Sequence, residues 1–451
     1  MSQEETSGYS GLPREILTKA GAKVGDRIRL DLKRGASQDI VEGLLMPRYH
    51  TSRDDNYIVL KLKTGYNVGV RIDTYSKVNV LGKGEEPHFT RPPLPAGKPG
   101  LPKVSIISTG GTIASKVDYR TGAVKPALDA EDLYSVVPEL AGLANVDSKV
   151  LFSIFSENMG PQQWPKIADS VAEQVRAGAD GVVIAHGTDT LGYTAAALSF
   201  ALQGIPVPVV LVGSQRSADR PSSDAATNLI AATAVAGQAP FAEIVVAMHD
   251  WVSDERVAVH RGTRVRKCHT SRRDAFRSVN TPPIAYYDLI NHVLNLNGEK
   301  YAERGKNSDW AVRSQFDPNV ALVKFHPGIS VGMIDWATAT GYKGIVLEGT
   351  GLGHVGDALF PALERAIKDG IVVAMCSQCI WGRVHMNVYS TGRDLLKMGL
   401  IPLGDMLAET ALVKMMWAFG QERDPEKVRQ PMTTNIANEL GDRRALEEIE
   451  E

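Results

Sequence analysis

Between Gly21 and Val80 apolar and polar positions alternate: Ile28, Leu30 and Leu32, then Ile58, Leu60 and Leu62, then Val68, Val70 and Ile72. Period-two alternation over short runs predicts half-buried antiparallel strands, and Gly35, Gly43, Gly65 and Gly82 punctuate them. The predicted product is a small all-β barrel of the SH3-like or Sm-like kind within residues 1–82. Residues 83–103 have no period and are rich in proline and glycine. They predict a semi-rigid extended linker.

After Lys103 the pattern changes to short, continuous apolar runs, each followed by a stretch of helical character. The runs 150–155, 181–185 and 207–212 precede the helical stretches 162–176, 190–203 and 222–236. This repeat predicts right-handed β-α-β crossovers and a doubly wound parallel sheet. A second set begins near Asn319, with strands over 320–325, 344–347 and 371–375 and helices over 357–368 and 405–419. The polar stretch between Asp288 and Asp317 suits a connection, and 435–451 reads as a charged tail. The expectation is an α/β chain of two parallel-sheet lobes, 104–300 and 319–434, joined by 301–318 and preceded by the barrel.

A chain of 451 residues exceeds what one core usually supports. It is 43% hydrophobic and 23% charged with a formal net charge of −2, so no global charge excess marks it for nucleic acid. Residues 21–80 hold eleven Lys and Arg against seven Asp and Glu, a local +4 that suits RNA phosphates and equally a solvated face. Met1 to Tyr9 lacks the apolar core of a secretory signal, and no later stretch is long and apolar enough to span a bilayer. A cytoplasmic location is expected. Three cysteines, Cys268, Cys376 and Cys379, make no disulfide framework. Cys376 and Cys379 have redox spacing, but they end an apolar strand and lack the second pair that zinc requires, which favours structural thiols. The ten histidines show no metal-ligand spacing.

Two predicted strands end in glycine-bearing polar turns. Val104-Ser105-Ile106-Ile107-Ser108 runs into Thr109-Gly110-Gly111-Thr112-Ile113-Ala114, and Gly181 to Ala185 runs into His186-Gly187-Thr188-Asp189-Thr190. Open α/β sheets place ligands at the carboxyl ends of such strands. Thr112 and Thr188 would thus offer hydroxyls to one crevice. A threonine hydroxyl is a weak nucleophile and needs a neighbouring base and oxyanion donors.

The segments at 109–114 and 186–190 resemble the two signatures of the L-asparaginase family of amidohydrolases. From about Lys103 to Gly420 the order of segments follows that family: Gly213-Ser214-Gln215-Arg216, then Arg266-Lys267-Cys268-His269-Thr270 leading to Phe276-Arg277-Ser278-Val279-Asn280, then Gly349-Thr350-Gly351-Leu352-Gly353. The resemblance assigns catalysis to Thr112, Thr188, Asp189 and Lys267, with Thr188, Lys267 and Asp189 as a relay of hydroxyl, base and orienting carboxylate. Alone, Lys267 lies in a basic run that reads as a solvated face. The resemblance also makes Ser156 and Glu157 substrate-binding, where Ser156 otherwise reads as a helix cap. Tyr119 becomes the tyrosine of a lid over 115–126, where an exposed loop residue is the plainer reading. The implied reaction is a two-step acyl transfer: Thr112 or Thr188 attacks a side-chain carboxamide, ammonia leaves and water releases the acid. The resemblance favours Thr112 for the covalent bond.

Three features depart from ordinary asparaginases: the N-terminal barrel with its linker, the insert around 301–313, and His354 where the family usually has asparagine. This layout resembles the glutaminase subunits of archaeal tRNA-dependent amidotransferases. That implies glutamine as substrate, a transferase and kinase partner subunit of the E type in a heterotetramer, and a homodimer through the asparaginase-like lobes. Glu-tRNA(Gln) would be handled by the complex. No cofactor is expected on this chain, and ATP and Mg2+ would belong to the partner. Gly351-Leu352-Gly353 lacks the Lys-Ser/Thr of a phosphate loop. The alternatives are a free cytoplasmic L-asparaginase with an accessory barrel and a scaffold with vestigial chemistry.

Overall fold

The computed structural model describes residues 8–34, 37–48, 56–62, 67–84, 97–110, 115–117, 124–126, 137–216, 223–305 and 310–441. The first unit begins with a helix that strand alternation does not reveal, α1 (Gly11–Lys19), followed by β1 (Asp26–Arg34), β2 (Ser37–Leu45), β3 (Tyr57–Lys61), β4 (Asn67–Arg71) and β5 (Lys77–Lys83). They form one antiparallel sheet in the order β4-β3-β2-β1-β5. The alternating residues Ile28, Leu30, Leu32, Ile58, Leu60, Val70 and Ile72 all point into its core, with Leu17 of α1. Tyr9 is buried with them and donates its hydroxyl to Met46 O at 2.8 Å.

The first α/β lobe is built on β6 (Lys103–Gly110), the short hairpin β7 (Ser115–Val117) and β8 (Val124–Pro126), β9 (Asn145–Ile154), β10 (Gly181–Ala185), β11 (Val209–Val212) and β12 (Ile244–His249). Strands β9-β6-β10-β11-β12 are parallel in that order. Beyond β12 the sheet turns antiparallel through β13 (Arg256–Arg261), then β16 (Ala285–Asp288) and β17 (Val293–Leu296), while β14 (Val265–Lys267) and β15 (Phe276–Ser278) make a separate ribbon. So β17 occupies part of the stretch that composition assigned to a connection. Alternation within the apolar runs explains why both faces are covered. Ile107, Val182 and Ile184 face α3 (Trp164–Arg176) and α4 (Leu191–Ala201). Val104, Ile106, Val183 and Ala185 face the other side, where α2 (Leu140–Leu143) and α5 (Ala225–Gln238) pack.

The second lobe is a four-stranded parallel sheet, β18 (Val320–Lys324), β19 (Gly344–Gly349), β20 (Val372–Ser377) and β21 (Ile401–Pro402). Helices α6 (Gly332–Ala339), α7 (Phe360–Lys368) and α8 (Ser390–Met398) lie on one face. On the other are α9 (Ala408–Gln421) and α10 (Pro425–Thr433). Helix α4 is apolar all round because α9 covers the side its own sheet leaves open. Phe200 stacks on Trp417 with centroids 5.9 Å apart, and one core runs through both lobes. Among the described residues no helix is long and apolar enough to cross a membrane.

Residues 435–441 depart from the charged tail read from composition. Glu439 is fully buried, pairs with the equally buried Lys414 of α9, and accepts from the backbone of Ile436 at 2.9 Å and Ala437 at 2.6 Å. A charged residue enters the interior only where a partner compensates it, and that partner lies 25 residues upstream, out of reach of local pattern. Lys414→Met should therefore cost about 3–5 kcal/mol by stranding Glu439, and adding Glu439→Gln should recover most of that loss in chemical denaturation. Equal stability of the single and double variants would contradict this.

Candidate active site

The parallel strands run in the order second, first, third, fourth, fifth, so the chain leaves β6 on one side and β10 lies on the other. Open α/β sheets place their ligand crevice at such a reversal, here beyond the carboxyl ends of β6 and β10. Thr109 fastens the two ends by donating to Ala185 O at 3.0 Å. Gly110 follows with φ +111°, and a Cβ there would lie 2.1 Å from Ile154 O, so only glycine fits. Thr112 and Tyr119, expected at the nucleophile position and on a lid, lie outside the described residues.

The turn after β10 is held from below. His186 is fully buried, with Nδ1 2.7 Å from Gly187 O and Nε2 3.0 Å from Thr194 Oγ1. Burial pushes its pKa down to about 4, against the opposing pull of the Gly187 carbonyl, so the ring is neutral. Nδ1–H then donates to Gly187, Nε2 accepts from the Thr194 hydroxyl, and Thr194 accepts from Trp164 Nε1 at 3.2 Å. The motif histidine is thus a strut between the turn, α3 and α4.

Above that strut the predicted residues meet. A Cβ on Gly187 would sit 2.7 Å from the side chain of Ser156, which is how closely the end of β9 approaches. The Ser156 hydroxyl accepts from Asp189 N at 3.3 Å, and Thr190 donates to Ser156 O at 2.6 Å. Ser156 therefore braces the Asp189 turn instead of capping α3. Glu157 is exposed on the same short 3-10 turn, Ser156–Asn158. Lys267 arrives from β14, and its Nζ donates to Thr188 Oγ1 and to Asp189 Oδ1, both at 2.8 Å. The Lys267 side chain is 15% exposed and that of Asp189 65%, so the amine is sheltered while the carboxylate still faces the crevice. A basic run that looked solvated delivers its lysine inward.

Sequence reasoning passed over the support of the third strand end. Asp224, fully buried before α5, accepts from Ser214 Oγ at 2.8 Å, Gln215 N at 3.0 Å, Arg216 N at 2.9 Å and Asn228 Nδ2 at 3.0 Å. This fixes the 213–216 turn, where a Cβ on Gly213 would touch Thr188 Cγ2 at 2.8 Å. The only available signal was an aspartate ahead of a small-residue helix, which reads as an ordinary cap. Cys268, Cys376 and Cys379 are free thiols, and burial pushes that of Cys376 far up.

Residues 103–300 match the family described as Asparaginase, N-terminal, and 319–432 the Glutaminase/Asparaginase C-terminal domain. Residues 22–81 match the GatD N-terminal domain. The D subunit of the glutamyl-tRNA(Gln) amidotransferase of Thermofilum pendens is 49% identical over 448 residues, spanning 97% of each chain. That of Pyrococcus abyssi is 51% identical over 94% of this chain and 97% of its own. This chain belongs to the D-subunit family of glutamyl-tRNA(Gln) amidotransferases. Among solved structures, the thermostable L-asparaginase from Thermococcus kodakarensis superposes with a TM-score of 0.67 at 35% identity, covering 76% of this chain and all of its own. L-asparaginase I from Vibrio cholerae gives 0.66 at 28% identity over 76% of this chain. D subunits thus match nearly end to end, whereas asparaginases leave about a quarter of this chain unmatched.

Two buried neutral histidines give the D-subunit chain a defined acid sensitivity. His260 is fully buried on β13 with Nδ1 2.8 Å from Ser278 Oγ, and burial, with Arg277 nearby, lowers its pKa to about 3. In both His186 and His260 the folded pKa lies below the ordinary 6.5, so below pH 6.5 the unfolded chain binds more protons. Stability from these groups is intact above pH 6.5 and is lost progressively as pH falls, toward 4 for His186 and toward 3 for His260. The melting temperature should drop across that window, and His260→Gln should drop less steeply than the parent. Parallel curves would contradict the assignment.

Proposed function

We propose that this chain is the glutaminase subunit of a tRNA-dependent amidotransferase, hydrolysing glutamine to supply ammonia for conversion of Glu-tRNA(Gln) to Gln-tRNA(Gln). The observation that carries this reading is the join of two things: a Thr188–Lys267–Asp189 relay within hydrogen-bond distance, and near end-to-end similarity to D subunits, the N-terminal β unit included.

One threonine attacks the carboxamide carbon. The C–O bond forms, the C–N bond breaks, and nitrogen leaves as ammonia with the proton it gains. Thr112 is the favoured nucleophile, which leaves Thr188, Lys267 and Asp189 to move the proton. The Lys267 amine takes the hydroxyl proton, and Asp189 orients the amine and stabilises the charge it acquires. Backbone N–H groups at the strand-end turns stabilise the oxyanion. Water then cleaves the ester, releasing glutamate and restoring the threonine. Asp189, open to the crevice, also meets the substrate amine, with Ser156 and Glu157 beside it and Tyr119 on the lid.

The partner is a transferase and kinase subunit of the E type, which binds ATP and Mg2+ and activates the glutamate on the tRNA. The assembly is a cytoplasmic heterotetramer with the two D-type chains paired through their asparaginase-like lobes.

Ammonia release from glutamine and from asparagine, by the chain alone and with partner plus Glu-tRNA(Gln), tests the reading. Low activity alone with strong stimulation on glutamine is expected, and Lys267→Met should lower the stimulated rate about 10²–10⁴-fold, the range for a positioned proton acceptor. Fast asparagine hydrolysis indifferent to tRNA would leave a free asparaginase instead. Full complex activity on glutamine in a Thr112→Ala, Thr188→Ala chain would leave a scaffold.

A further inference from the structure

The ribbon that delivers Lys267 is short. Strands β14 and β15 pair over three residues each, and an isolated two-stranded ribbon is marginal in water. Its place is set from the other lobe. Arg264, just before β14, donates to Asp405 Oδ2 at 3.0 Å and to Asn438 O at 2.9 Å. Arg266 Nε lies 3.2 Å from Glu409 Oε1 in the first turn of α9. Asn280, just past β15, donates to Gly382 O at 3.0 Å and Asp405 O at 3.1 Å and accepts from Gly382 N at 2.8 Å.

Successive side chains of a strand point to opposite faces. Arg266, on one face of β14, grips Glu409 at the start of α9, and Arg264, in the turn just before the strand, is held by Asp405 and Asn438. Lys267, the residue after Arg266, projects from the other face into the site. Two grips two residues apart fix the roll of the strand about its own axis, which one grip cannot do. A small roll swings the amine further than the backbone, because it sits at the end of a long side chain.

We propose that Glu409, acting through Arg266, is a positioning residue for Lys267, so that the C-terminal lobe sets the reach of the amine to the Thr188 hydroxyl. The Arg264–Asp405 pair is almost fully buried and anchors the ribbon against the lobe. The Arg266–Glu409 pair is partly exposed, 31% and 20%, so Glu409→Gln loosens this grip and leaves only the more exposed arginine unpaired. The other Glu409 oxygen is buried without a hydrogen-bond partner, so Arg266 is the cation that compensates it. The inference rests on the amide-hydrolase reading above for its kinetic consequences, though not for its geometry.

The test uses the full chain with its partner subunit and whichever amide the parent complex hydrolyses. Glu409→Gln and Arg266→Gln should each lower kcat about tenfold with KM within about twofold, since displacement by a fraction of an ångström carries penalties of that order. The double variant should be no slower than the slower single, and the exchanged pair, Arg266→Glu with Glu409→Arg, should regain rate. Arg266→Lys, which keeps the charge, should fall between parent and Arg266→Gln, and it carries the test if a neutral variant fails to fold. A crystal structure of Glu409→Gln should show Lys267 Nζ beyond hydrogen-bond distance of Thr188 Oγ1, a readout that needs no turnover. Loss of glutamine hydrolysis in the parent would sink the function while leaving that distance to judge the positioning. An unmoved amine with unchanged kcat overturns the proposal, as does independent, multiplicative loss in the double variant.

Discussion

One amine, Lys267 Nζ, lies between the hydroxyl of Thr188 and the carboxylate of Asp189, at 2.8 Å from each. The contact joins segments 79 residues apart, so it exists only if the sheet, the ribbon and the second lobe are all in place. Its members come from elements of very different strength. Thr188 and Asp189 follow a fully buried central strand and rest on the His186 strut, whereas Lys267 rides on a three-residue ribbon. The weaker side is the one braced from elsewhere, by arginines reaching Asp405 and Glu409. Such bracing satisfies the general demand that a relay be held within a fraction of an ångström.

The two lobes share one core. Helix α4 starts at the turn that carries Thr188 and Asp189 and is buried along its length by α9 of the second lobe. Glu409 and Lys414 on α9 face in different directions, one toward the Lys267 ribbon and one toward Glu439. A change at the C-terminal lobe therefore has a short mechanical route to the relay.

Much of this is legible in the chain's own pattern. The apolar runs of β6, β10 and β11 are buried on both faces and leave no ambiguity of period, and the strand-end turns carry their glycines and hydroxyls in plain sequence. Most alternating residues of the first unit face its core as read; Leu62, where Lys61 is buried instead, does not, and Val68 is only partly buried. What escapes depends on long-range partners. Helix α1 has too few apolar positions to announce itself, and Leu17 matters only because the sheet beneath receives it. The basic run at 264–267 looks solvated until Asp405, Glu409, Thr188 and Asp189 are brought to it from elsewhere. Glu439 looks like tail until Lys414 is placed beside it, and Asp224 looks like a simple cap until the 213–216 turn folds over it. Charged residues are the misread class, since their burial is decided by partners that local pattern does not contain.

Acyl transfer at the β6/β10 crevice is tested most directly by the mass of the chain itself. The full complex, exposed briefly to glutamine and quenched in acid, should carry a glutamyl adduct on the peptide holding Thr112 or Thr188. Lys267→Met should slow its appearance. Ammonia release at the parent rate with no adduct on either peptide, while turnover is under way, would contradict a threonine nucleophile at this site.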